Sequence, residues 1–294
     1  MTISADPAAG LDVTQCVSFY FSAHQDDWQL FMNPSAFRNV LDGNTKCVFI
    51  HMTAGDAGLG TSSGGRKHPL YLAREHGAES AIRFMADSDD RPPVEKVASA
   101  MKFNDHPIYR VSYRDTVAYF LRVPDGSPAG TGYADTGYQS LKRLADGQID
   151  TLSAIDGTTS YRGWKDLVAT LRAIIDFERG PAPSVQLNVP EPDSTINPND
   201  HADHFMTAKA ALDATEGLTG ARRLLYYVGY ASAEHPENLG GQDRDMKCAV
   251  YAVTLAGVSA LDHPTAWQHY DQTFVGRTYC RIEENGGHSD GPGG

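Results

Sequence analysis

Two apolar runs, Val17–Ser22 and Lys46–Met52, each break off into a polar loop that leads to a helix-forming stretch. This repeat of strand, loop and helix constrains the fold more than any other feature. Parallel neighbours cannot be joined by a tight turn, and the crossover that joins them is usually helical. After the first run comes HQDD, then Pro34–Leu41 with Phe37, Val40 and Leu41 on one side. After the second comes TAGDAGLGTSSGG, then Pro69–Asp87, with Leu72, Ala78, Ala81, Ile82 and Met85 at helical spacing. Further on, Trp164–Arg179, His201–Thr215 and Asp243–Ala256 read as helices, and Ser184–Val189 and Leu224–Tyr230 as strands. The expected fold is α/β: a Rossmann-like, mostly parallel sheet with flanking helices.

One stretch departs from the pattern. Ile108–Tyr113 and Thr116–Val123 alternate around Arg114 and Asp115 as an antiparallel hairpin would, and 124–162 is rich in Gly, Asp, Thr and Tyr without periodicity. Residues 104–162 are therefore expected to be an inserted hairpin followed by an irregular segment that serves as a lid. Tyr133, Tyr138 and Tyr161 are the side chains there that suit stacking against a ligand. Residues 1–283 are expected to form one domain that opens with a loose leader at 1–14, and the Gly-rich 284–294 a disordered tail.

Charge narrows the partners. Lys+Arg 25 against Asp+Glu 37 gives a formal charge of −12, which repels phosphate backbones and anionic headgroups. No apolar run reaches the roughly 20 residues that span a bilayer. The first residues lack the basic and apolar regions of a signal peptide. Cys16, Cys47, Cys248 and Cys280 lie far apart with no C-x-x-C pair, as reduced thiols do. These features suggest a cytoplasmic protein that acts on a small molecule, with neither nucleic acid nor membrane as partner.

Ligands of open parallel sheets bind beyond the carboxyl ends of the strands. His24, Asp26 and Asp27 stand at one such end, and His201, Asp203 and His204 follow the strand Ser184–Val189 at the start of a helix. Either group alone reads as a turn or helix cap. Together they supply what metal-assisted hydrolysis needs. Two imidazoles and a carboxylate hold a divalent metal with one position open, a further carboxylate moves protons, and a further imidazole donates to an oxyanion.

AHQDD after the first strand, TAGDAG after the second, the AREHGAESA helix and HADH resemble the LmbE-like (PIG-L-type) N-acetylglucosaminyl deacetylases, over about residues 16–87 and 184–216. The resemblance implies zinc, or another divalent metal, on His24, Asp27 and His204. It implies Asp26 as the base that deprotonates the attacking water and later protonates the departing amine. His201 would stabilise the oxyanion, and Asp203 would orient a neighbouring imidazole. The implied activity is removal of an N-acyl group, typically acetyl, from an amino-sugar substrate, with oligomerisation left open.

Two positions depart from the family pattern, in which A-H-P-D-D precedes an acidic residue: Gln25 replaces the proline and Trp28 the acidic residue. With Arg74 and Asp56 they are the candidate substrate contacts. Asp200 competes with Asp203 as the orienting acid, and His51 is a packed strand histidine before it is a ligand. The other readings are an amidase acting on a larger thiol-sugar or lipopeptide conjugate, a non-haem iron oxygenase with the same ligand types, and a non-catalytic binding module.

Overall fold

The computed structural model describes residues 16–285, so the leader and most of the 284–294 tail lie outside the described residues. Glu284 and Asn285 close the last strand instead of opening the tail. Five strands form a parallel centre: β1 (Cys16–Ser22), β2 (Thr45–Thr53), β5 (Thr116–Val123), β8 (Ser184–Pro190) and β9 (Ala221–Tyr227). Antiparallel strands close both edges, β3 (Val97–Phe103) and β4 (His106–Tyr113) on one side and β10 (Cys280–Asn285) on the other. The eight-stranded order is β10-β9-β8-β1-β2-β5-β4-β3. A separate two-stranded sheet joins β6 (Thr151–Ser153) to β7 (Ser160–Arg162). The α/β class expected from the alternation is the fold observed.

Helices cover both faces, so the central strands are apolar on both sides and β1 and β8 are buried along their whole length. Against one face lie α4 (Leu141–Ala145), α5 (Gly163–Arg179) and α6 (Ala202–Ala214). Leu167, Leu171, Ile174 and Ile175 of α5 meet Val17, Phe19 and Phe21 of β1 in one core there. The other face carries α1 (Asp27–Phe31), α2 (Ser35–Leu41), α3 (Leu70–Ala86) and α7 (Gly241–Ala260), packed around Tyr20, Phe49, Ala81 and Tyr251. Trp267–Tyr270, α8, and the wide turn of Asp271–Val275 extend that second layer.

The hairpin is not appended to the sheet. Strand β5 pairs in parallel with β2, Val48 opposite Val117 and Ile50 opposite Tyr119, while β4 and β3 continue outward from it. Alternation within β4 and β5 shows the turn between them but not that β5 has a second neighbour. Strand β3 is mostly exposed, as an edge strand is, and its weak apolar pattern leaves little trace in the sequence. Segment 124–162 contains α4 and the β6–β7 ladder within its loops. Strand β9 ends at Tyr227, three residues short of the expected Tyr230, which belongs to the short 3₁₀ helix that follows.

Chain order decides where the loops meet. From β1 the chain runs to β2 and β5 on one side, then returns to β8 and β9 on the other. The order reverses between β1 and β8, and this switch point opens a crevice beyond the strand ends. The loops after β1 and β8 carry the two histidine-bearing motifs.

Candidate metal centre and active site

The first motif begins where β1 stops and the second at the start of α6, after the loop that follows β8, and in neither do the aspartates act as simple caps. Asp26 occupies the N-cap of α1 without capping it, because its carboxylate takes a short hydrogen bond from Arg74 instead. Asp27 Oδ2 accepts the backbone N–H of His24 at 2.7 Å, which turns the loop back on itself. At α6 the cap is the His201 ring, whose Nδ1 accepts the Asp203 N–H at 3.2 Å. A neutral His201 therefore carries its proton on Nε2, the nitrogen 3.7 Å from Asp125 Oδ1.

The loops bring His24, Asp27 and His204 into one buried group, placed so that each offers a ligand atom to a metal ion. Asp27 Oδ1 lies 3.2 Å from His204 Nε2 and 3.6 Å from His24 Nδ1. The far nitrogen of each ring faces a carboxylate. His204 Nδ1 contacts both oxygens of Asp200 at 2.9 Å, and His24 Nε2 is 3.5 Å from Asp203 Oδ2. Asp200 fixes the tautomer and direction of His204, the arrangement that metal-binding histidines have, whereas His24 Nε2 stands near Asp203 without a hydrogen bond. His204 Nε2 is buried with no hydrogen-bond partner, and a cation beside Asp27 would satisfy it. The donor set, two imidazoles and a carboxylate, fits zinc or a similar divalent ion.

Electrostatics agree with that fit. Burial opposes charge on all three groups, but their mutual attraction prevails. Asp27 is held well below the usual carboxylate range by His204 and His24. His24 is raised to about 10, chiefly by Asp27 and Asp203, and His204 is raised by Asp200 and Asp27. The cluster thus favours positive charge between its carboxylates, supplied by protons or by a metal whose binding releases them. His201 goes the other way. Burial and the neighbouring His24 lower it to about 4, so it stays a neutral donor.

A cavity of about 100 Å³ opens onto this group, lined by His24, Asp26, Asp27, Arg74, Asp125 and His201, with Leu30, Tyr230 and Tyr270 completing the wall. Asp125, Tyr230 and Tyr270 are not among the site residues expected from the sequence. Asp125 directly follows β5 at the same sheet edge as His24, a position that could have singled it out, but VPDG also spells an ordinary turn. A second buried group, His24, Asp125, His201 and Asp203, shares His24 with the first.

Three expected substrate contacts need correction. Trp28 is completely buried, packs on Phe49 at 4.7 Å and donates from Nε1 to His51 Nε2 at 3.2 Å, so it has no face for a sugar. Gln25 is also buried and donates to the Thr53 carbonyl at 2.9 Å. Asp56 accepts the N–H groups of Gly60 and Asp125, both at 2.8 Å, and thereby sets the loop that carries Asp125. None of the three lines the cavity, and of the four candidate contacts only Arg74 does. Of the lid tyrosines, Tyr161 is buried against His106, and none of the three lines the cavity.

Two close approaches hold the outer carboxylates. A Cβ on Gly126 would stand 2.4 Å from Asp203 Oδ1, and one on Gly229 would stand 2.5 Å from Asp200 Oδ2. The Gly126 N–H donates to Asp203 Oδ2 at 2.8 Å, and Asn197 donates to Asp200 at 2.5 Å. His51 is no ligand: its ring stacks on Phe120 and both nitrogens are engaged, by Trp28 and by the Tyr119 carbonyl.

No helix among the described residues is long and apolar enough to cross a membrane. No protein-family model matches the chain, and no curated protein matches it in sequence. Among solved structures it is similar to the antimicrobial reagent A40926 pseudoaglycone deacetylase Dbv21. That likeness has 17% identity and a TM-score of 0.45, and covers 93% of this chain and 97% of that one.

Proposed function

We propose that the protein is a metal-dependent hydrolase that removes a short N-acyl group, acetyl in the first instance, from an amino-sugar substrate. The observation that carries this reading is the pair of imidazoles around Asp27, each with a carboxylate behind it, beside a small cavity whose rim holds Asp26 and His201. His24, Asp27 and His204 would hold the ion, zinc being the natural choice for this donor set. When bound, such an ion acts as a Lewis acid and makes water nucleophilic at neutral pH.

The chain's own residues do the rest. Asp26 accepts a proton as the water oxygen bonds to the acyl carbon, then returns it to the nitrogen as the C–N bond breaks. Amide and water thus become carboxylate and free amine. His201, neutral and with its proton on Nε2, donates to the oxygen that gains charge, a contact worth roughly 3–4 kcal/mol in comparable sites. Asp203 and Asp200 keep the rings aimed. Arg74 pairs with Asp26 and steers its carboxylate.

The test is release of free amine from N-acetylglucosamine and related N-acetylated amides, with and without a chelator. Asp26→Asn should retain stoichiometric zinc while turnover falls by about 10²–10⁴-fold. Unchanged turnover in that variant would remove Asp26 from its role. Stoichiometric iron with an oxidised product would replace the hydrolase reading by an oxygenase.

A further inference from the structure

Strand β5 carries one residue more than its neighbour can match. Its pairing with β2 sets His51 opposite Phe120 and then Thr53 opposite Val123, so two steps along β2 answer three along β5. The extra residue makes a bulge, which bends the strand and is a common device beside active sites. Within it Arg122 has φ 57°, a left-handed conformation that a residue with a side chain rarely adopts. Three residues on, the same chain delivers Asp125 to the cavity.

Such a backbone persists only where its surroundings over-determine it, and Arg122 is held from several sides. Its Nε and Nη2 donate to Oε1 and Oε2 of Glu75, each at 2.7 Å, and its Nη1 donates to Asp156 Oδ2 at 2.7 Å. Its carbonyl accepts the Ile155 N–H at 2.9 Å. The rings of Tyr109 and Tyr71 lie 4.6 and 5.4 Å from the guanidinium carbon. Glu75 is buried on α3, where it directly follows Arg74. Arg74 in turn donates to Asp26 and to the Gly55 carbonyl. Neither Arg122 nor Glu75 lines the cavity, so the pair can act on it only through these neighbours.

We infer that Arg122 is a positioning residue for the reaction proposed above: its fork on Glu75 locks the end of β5 to α3 and so holds Asp125 and Arg74 in place across the cavity. This rests on the hydrolase reading for what the cavity does. A two-pronged guanidinium–carboxylate pair fixes direction as well as distance, which a single contact would not. Asp156 and Ile155 brace the bulge from the connection between β6 and β7. That connection supports the site without lining the cavity.

The experiment compares wild type, Arg122→Gly, Arg122→Lys and the double variant Arg122→Gly/Glu75→Gln, all zinc-loaded. Glycine adopts the left-handed conformation freely, so Arg122→Gly keeps the bulge and removes only the fork. The added Glu75→Gln removes the buried carboxylate that the first change leaves unpaired. Arg122→Lys keeps the charge without the fork. We expect the double variant to regain the melting temperature lost in Arg122→Gly, while its kcat on an N-acetylated amide stays about 10–100-fold below wild type and KM changes little. The loss falls on kcat because Arg74 aims the base Asp26, and Arg122→Lys should lie in between. Turnover that recovers together with the melting temperature would overturn the proposal, since a merely structural pair predicts that result. If wild type releases no amine, the hydrolase reading fails, and crystal structures of wild type and the double variant judge the clamp. Arg74 displaced from Asp26, or Asp125 displaced from His24 and His201, supports it, and unmoved side chains reject it.

Discussion

The division of labour proposed for the adjacent aspartates rests on where each backbone places its side chain. Asp27 turns inward to the His24 N–H and the two rings, whereas Asp26 turns to Arg74 at the cavity rim. The carboxylates behind the rings are two: Asp203 faces His24 and His201, and Asp200 hydrogen-bonds His204. Asp200→Asn is predicted to weaken metal binding about 10–100-fold, read by competition with a chromophoric chelator, while the fold is retained. Unaltered affinity would show that Asp200 does not aim the ring. The candidate ligands stood out in the sequence because few side-chain types bind metal. Asp125, Tyr230 and Tyr270 did not, since an aspartate in VPDG or a tyrosine near an apolar run has many ordinary uses.

At the level of elements, α1 is anchored to the sheet through a relay. Trp28 of α1 donates to His51 of β2, which donates from Nδ1 to the Tyr119 carbonyl of β5. Burial lowers His51 from 6.5 to about 4, with the Tyr119 contact opposing. A histidine depressed in the folded state stabilises fully above the unfolded value. That contribution is lost as pH falls from about 6.5 towards 4, because the unfolded chain takes up the proton first. Between pH 7 and pH 5 the cost is about 2 kcal/mol. Urea unfolding at both pH values should show wild type losing that much more than His51→Gln. Equal losses would exclude His51 as the source. Trp28 shows why the sequence misleads here. A tryptophan beside ligand residues invites a ligand, but helical geometry turns it from the rim into the core between α1 and β2, where Phe49 and His51 await it.

For the whole molecule, the site exists only because two loops far apart in the chain meet at the switch between β1 and β8. An ion held by His24, Asp27 and His204 would tie both loops together in the native state, so zinc at a hundredfold excess over its Kd should add about 2.7 kcal/mol of stability. A thermal scan should show the melting point rise with zinc in wild type and not in His204→Ala; an equal rise in both would place the ion elsewhere. The sequence by itself determined the α/β alternation, the candidate ligand side chains and the net acidic charge. These depend on local periodicity and residue chemistry, which a single chain displays directly. Only the tertiary structure decided that the hairpin strand β5 belongs to the sheet, which carboxylate stands behind which ring, and that Asp125 joins the site. It also turned Trp28, Gln25 and Asp56 into supports. Those outcomes depend on contacts between residues distant in sequence, and pairing of that kind leaves no local period to read.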